Sequence, residues 1–177
     1  MRTGRWAAIG IVCAGLLTSA NIARAQEPAA KPDPVLRDVL LEQWSDIGQK
    51  IIKMAEDFPA EKYDFRPTPE VRTFADVVRH VAFWNLYVQK TARGEKIDAK
   101  QNELPKAEYP TKEKIVEAVK RTFSDATAEL KKAPATPSTK LAGLFVTFTE
   151  HSAEHYGQLV VYYRLNKIVP PASRTSD

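Results

Sequence analysis

Between Val35 and Phe58 the apolar residues Leu36, Leu40, Trp44, Ile47, Ile51, Met54 and Phe58 recur every three or four positions, with polar and charged residues between them. That period puts all seven on one face and predicts a first α-helix over this span. From Pro59 to Pro69 the period lapses and prolines cluster, which reads as a turn. Thr73 then offers a helix cap with Asp76 at the third helical position, and Phe74, Val77, Val81, Trp84 and Val88 carry a second helical face until Gly94 stops it. A third helix is predicted from the cap Thr111, with Ile115, Val119, Phe123, Ala126 and Leu130 on its face, before Ala133 to Pro137 break the chain. The fourth begins near Ser138 or Thr139, extends to about Lys167, and is closed by Pro170 and Pro171. Between Gly94 and Pro110 no period is sustained, so this segment is either a long loop or a loop containing a short helical turn, and such segments often cover a site. No stretch alternates with period two. The expectation is an all-α four-helix bundle over residues 35–171, with a short C-terminal tail at 172–177.

The N-terminus follows a different pattern. Arg2 and Arg5 precede an apolar run from Trp6 to Leu17, and the more polar stretch after it ends in Ala23-Arg24-Ala25. This has the layout of a secretory signal peptide over residues 1–25, which predicts an exported protein, periplasmic or secreted. The apolar run is too short for a bilayer span of roughly 20 residues, so no stable membrane insertion is expected after cleavage. Residues 26–34, with prolines at 28, 32 and 34, read as a stiff tether. The formal net charge is +4, but residues 1–25 hold three arginines and no acid, so the remainder stands near +1. A nucleic-acid partner is therefore not expected. The single cysteine, Cys13, lies in the signal segment, which leaves the mature chain no thiolate for catalysis or metal binding.

Candidate chemistry rests on the three histidines. Along the fourth helix the inward stripe runs Leu141, Leu144, Phe148, His151, His155, Leu159 and Tyr162, so two expected apolar positions are imidazoles. Residues four apart share one face, and both rings should enter the bundle together. His80 sits at the edge of the apolar face of the second helix and can reach the same interior. Buried polar rings without partners cost roughly 1–3 kcal/mol each. Two arrangements remove that cost: a shared divalent metal, for which neutral imidazole is a common ligand, and a metal-free hydrogen-bond network. Three neutral ligands would leave a coordination position open, as catalytic sites do. Metal identity is not encoded in such a donor set.

Glu154 precedes His155 and, if a metal is bound, is a candidate proton acceptor; a solvent-facing helix charge is its other reading. Gln158 falls nearly in line with both histidines and would either contact a water or substrate at the metal or orient a ligand ring. Trp84, Tyr87 and Phe83 either wall a pocket or belong to the core. The string His151-Ser-Ala-Glu-His155 also matches the inverted zincin pattern, but no glutamate follows His155 to complete that plan.

Three stretches resemble the DinB-like superfamily of metal-dependent hydrolases and thiol transferases: Tyr63-Asp-Phe-Arg-Pro67, Val78-Arg-His-Val-Ala-Phe-Trp84, and Thr149-Glu-His-Ser-Ala-Glu-His-Tyr-Gly-Gln158 leading to Pro170-Pro171. The resemblance spans about residues 34–171. It implies a four-helix bundle, often homodimeric, with His80, His151 and His155 as ligands to one divalent transition metal, zinc or nickel, and a small-molecule substrate. The export signal departs from the cytoplasmic thiol transferases of that family.

Overall fold

The computed structural model describes residues 33–175, and the expected signal peptide with most of the tether lies outside them. Four helices form: α1 (Leu36–Asp57), α2 (Phe74–Ala92), α3 (Lys112–Lys131) and α4 (Thr139–Leu165). Single 3-10 turns occur at Ala60–Lys62, Ala99–Gln101 and Pro171–Ser173, and no strand is present among the described residues. Around the bundle each of α1 and α2 packs against both α3 and α4, so α1 and α2 occupy one diagonal and α3 and α4 the other. This order puts α2 beside α4, the two helices that carry the histidines.

The stripes read from the sequence form the core. Leu40, Trp44, Ile47, Ile51, Met54 and Phe58 are buried in α1 and at its end, against Ile115, Val119, Phe123, Ala126 and Leu130 of α3. Leu36 departs from the expectation and is exposed. The first turn of α1 lies against the connection at 133–135, where the Arg37 amide and guanidinium donate to the carbonyls of Ala135 and Ala133 at 3.0 and 3.3 Å. Trp44 donates from Nε1 to Thr127 Oγ1 at 2.9 Å, and that hydroxyl donates to the Phe123 carbonyl at 2.7 Å, which satisfies two polar groups inside the core.

The stretch from Tyr63 to Phe65 joins α1 to α2 by satisfying free helix ends. The hydroxyls of Tyr63 and Tyr163 donate to the Ala55 and Met54 carbonyls in the last turn of α1, and Lys112 Nζ donates to the Phe58 carbonyl at 2.8 Å. The carbonyls of Phe65 and Tyr63 accept the amides of Phe74 and Ala75 at the start of α2, each at 2.9 Å. Thr73 and Asp76 form the expected capping box. The C-terminal tail is held as well: Arg174 makes a two-pronged ion pair with Asp57.

Candidate metal centre

The imidazoles of His80, His151 and His155 converge between α2 and α4. Nε2 of His151 lies 3.0 Å from Nε2 of His80 and 3.2 Å from Nε2 of His155. One ligand atom from each residue falls within 4.8 Å of the others, and this is the one such group of three among the described residues. Two imidazole nitrogens bound to one ion at about 2.0–2.1 Å stand about 2.8–3.4 Å apart for ligand angles between octahedral and tetrahedral. Both observed spacings lie in that range.

The outer nitrogens explain why the inner ones meet. His80 Nδ1 contacts the carbonyl oxygen of Asn102, an obligate acceptor, so Nδ1 carries the proton and Nε2 is bare. A longer chain fixes His155. The Arg72 carbonyl accepts from Tyr162 Oη at 2.6 Å, and Tyr162 Oη accepts from Gln158 Nε2 at 3.0 Å. Gln158 therefore turns its Oε1 to His155 Nδ1, 2.9 Å away, which must donate. Nε2 of His155 is bare for the same reason.

Two lone pairs thus point at His151 Nε2, which has at most one proton to offer. Nδ1 of His151 is buried without a hydrogen-bond partner. Without a metal at least one of the two facing Nε2 lone pairs is left without a proton, whereas a cation accepts all three Nε2 lone pairs at once, with the His151 proton then on its unpartnered Nδ1. The donor set fits a divalent transition metal.

Burial keeps the rings neutral, the form a metal requires. Chiefly by desolvation, with the Arg72 and His155 charges adding to it, the pKa of His80 falls from its usual 6.5 to about 3. Desolvation first, then the His155 and Arg72 charges, takes His151 to about 4. His155 is also lowered by burial, against its hydrogen bond to Gln158 and the Glu154 charge, which raise it.

The 94–110 segment closes over the site, as a loop with one helical turn. Asn102 sits in the left-handed region at φ 56°, which asparagine tolerates, and this brings its carbonyl to His80 while its Oδ1 accepts from Trp84 Nε1 at 3.3 Å. Arg79, fully buried one residue before His80, pairs with Asp76 and donates to the Tyr109 carbonyl at 3.1 Å. Its own carbonyl accepts from the Leu104 amide. Neither Asn102 nor Arg79 stands out in the sequence. Asn102 lies in a stretch without period; Arg79 had one usable signal, an aspartate three residues earlier on the same helix.

Among the expected site residues, the three histidines and Gln158 come together, and Gln158 makes the ring-orienting contact. Glu154 is exposed and makes no hydrogen bond to the histidines among the described residues. Trp84 and Tyr87 are half-buried beside the site, with the Trp84 ring 5.8 Å from that of His151, while Phe83 belongs to the core.

An all-helical bundle with three imidazoles converging between adjacent helices is a class of metal-site scaffold. Within that class, the family model described as DinB superfamily matches residues 43–159, about two-thirds of the chain and inclusive of all three histidines. The chain belongs to the DinB superfamily. A search of the curated proteins returns no match.

Proposed function

We propose that this DinB-superfamily protein is exported and binds one divalent transition metal, zinc or nickel, through His80, His151 and His155, acting as a hydrolase or transferase on a small-molecule substrate. The observation that carries the reading is the pair of fixed tautomers, which aim two bare Nε2 lone pairs at a third imidazole. A divalent ion held there supplies Lewis acidity, lowering the pKa of a water or thiol that reaches it.

The chain's own residues divide the remaining work. Asn102 and Gln158 hold the ring planes, burial keeps the imidazoles unprotonated, and the 94–110 segment shields the His80 side from water. Glu154, whose charge reaches His155 from the solvent side, is the proposed proton acceptor. A closed structural site would call for a fourth protein ligand, and the converging group among the described residues has three, which favours a site with room for substrate. The signal-peptide pattern at residues 1–25 supports export, and the family resemblance supports a homodimer. The near-neutral charge beyond residue 25 supports no nucleic-acid role.

The test is elemental analysis of untagged protein from the periplasm beside the triple variant His80→Ala, His151→Ala, His155→Ala. About one metal per chain, lost in the variant, is expected; a chain that stays metal-free after reconstitution would overturn the reading.

A further inference from the structure

We infer that the groove between the C-terminal end of α2 and the N-terminal half of α4 holds the apolar part of the substrate, a single or fused ring or a short alkyl chain, whose polar end meets the histidines. This rests on the metal-site reading above. The groove has a volume of about 430 Å³; Tyr87, Leu141, Gly143, Leu144 and Phe148 give its apolar wall, and the cation Lys140 and several hydroxyls also line it. That volume lies within the span of roughly 300–1,000 Å³ typical of small-molecule sites.

It adjoins the metal centre across one side chain, Phe148. The Phe148 ring stacks on Trp84 at 5.3 Å, lies 5.4 Å from Tyr87, and stands 5.8 Å from the His151 ring. Aromatic rings in contact therefore link the groove wall to an imidazole. The cleft on the opposite side of the site, by Gln158, differs in kind. Its one cation, Arg72, pairs with Glu103 at 3.5 Å, and its other charges, Glu70 and Asp76, are acidic, so it has no spare cation for an anionic ligand.

Gly143 is the wall position at which the groove can be filled. A Cβ built there meets nothing within 4 Å, so no close approach requires glycine, although glycine weakens a helix interior relative to alanine. What the missing side chain leaves open is the groove wall.

The test compares the wild type with Gly143→Leu, which fills the groove, and with Gly143→Ala, which adds one methyl. The probe is N-phenyl-1-naphthylamine, read by fluorescence on metal-free and zinc-loaded protein. On zinc-loaded protein, 4-phenylbutanohydroxamate is also compared with acetohydroxamate by calorimetry. The wild type and Gly143→Ala are expected to bind the naphthylamine and to prefer the phenyl compound by about 30-fold, the factor corresponding to burial of one aromatic side chain. Gly143→Leu should lose most of both effects while keeping its zinc stoichiometry and its helical circular dichroism. Unchanged naphthylamine binding in Gly143→Leu would overturn the groove assignment. So would a dimer that dissociates only in that variant, since the groove would then be a surface between two copies. Naphthylamine binding that is lost in Gly143→Leu, in a chain that never takes up zinc, would sustain the groove and overturn the metal reading instead.

Discussion

Gln158→Leu tests whether the metal centre depends on the chain that fixes the His155 tautomer. The substitution removes two hydrogen bonds, from His155 Nδ1 at 2.9 Å and to Tyr162 Oη at 3.0 Å, while the Tyr162 hydroxyl can still donate to the Arg72 carbonyl. The His155 proton is then free to move to Nε2, the ligand atom. A metal that binds must return it to Nδ1, where it no longer has an acceptor. An unpaired donor in a half-buried place costs about 1–3 kcal/mol, and loss of an outer hydrogen bond to a ligating histidine typically costs 10–100-fold in affinity. Zinc affinity is therefore expected to fall by about 10–100-fold, measured by competition with a chromophoric chelator at pH 7.5. Gln158→Glu keeps an acceptor for Nδ1 and should recover most of the loss. Tyr162→Phe leaves the amide in place but free to rotate, and should cost less than about tenfold. The reasoning is refuted if Gln158→Leu binds zinc within twofold of the wild type while His155→Ala does not bind.

Gly48→Ala is expected to destabilise the fold by at least about 1–3 kcal/mol, the usual cost of overpacking, because a Cβ there would stand 2.0 Å from the Phe123 ring where α1 crosses α3; urea denaturation checks it, and an unchanged midpoint would show that the ring moves aside freely. Acid should destabilise the metal-free protein before its carboxylates titrate. His80 and His151 resist protonation down to about 3 and about 4, whereas unfolded imidazoles take up protons near 6.5, so between those values the unfolded chain binds more protons. The resulting loss of stability is absent above pH 6.5 and grows as the pH falls, toward about 4 for His151 and about 3 for His80. Urea midpoints at pH 7.5, 6 and 5 in the presence of a chelator measure this, and a flat profile would oppose burial of the two rings. Metal binding should weaken at lower pH than free imidazole would dictate, for the same reason; zinc titrations at pH 6.5 and 5 compare the two cases.

The parts of this protein that were legible in the sequence are those that repeat. A stripe such as Trp44, Ile47, Ile51 and Met54 is read from spacing alone because each helical turn returns a residue to the same face, and the structure buries all four. His151 and His155 were legible as intruders in such a stripe, and His80 as the one other histidine on a core-facing helix. What escaped the sequence is set by contacts without period. Asn102 approaches His80 through one left-handed residue in a stretch whose other positions reveal nothing, and Leu36 lies on the right face but opposite a loop. Tyr162 shows the limit most clearly. Its place in the stripe predicted an apolar ring facing the core, and it is buried there, but its hydroxyl also relays the Arg72 carbonyl to Gln158 and so to a ligand nitrogen. Periodicity locates a side chain on a face; it does not say which polar tip meets which. In this protein the chemistry of the site depends on the second of these, because the same three histidines with their outer protons reversed would turn N–H groups, not lone pairs, toward one another.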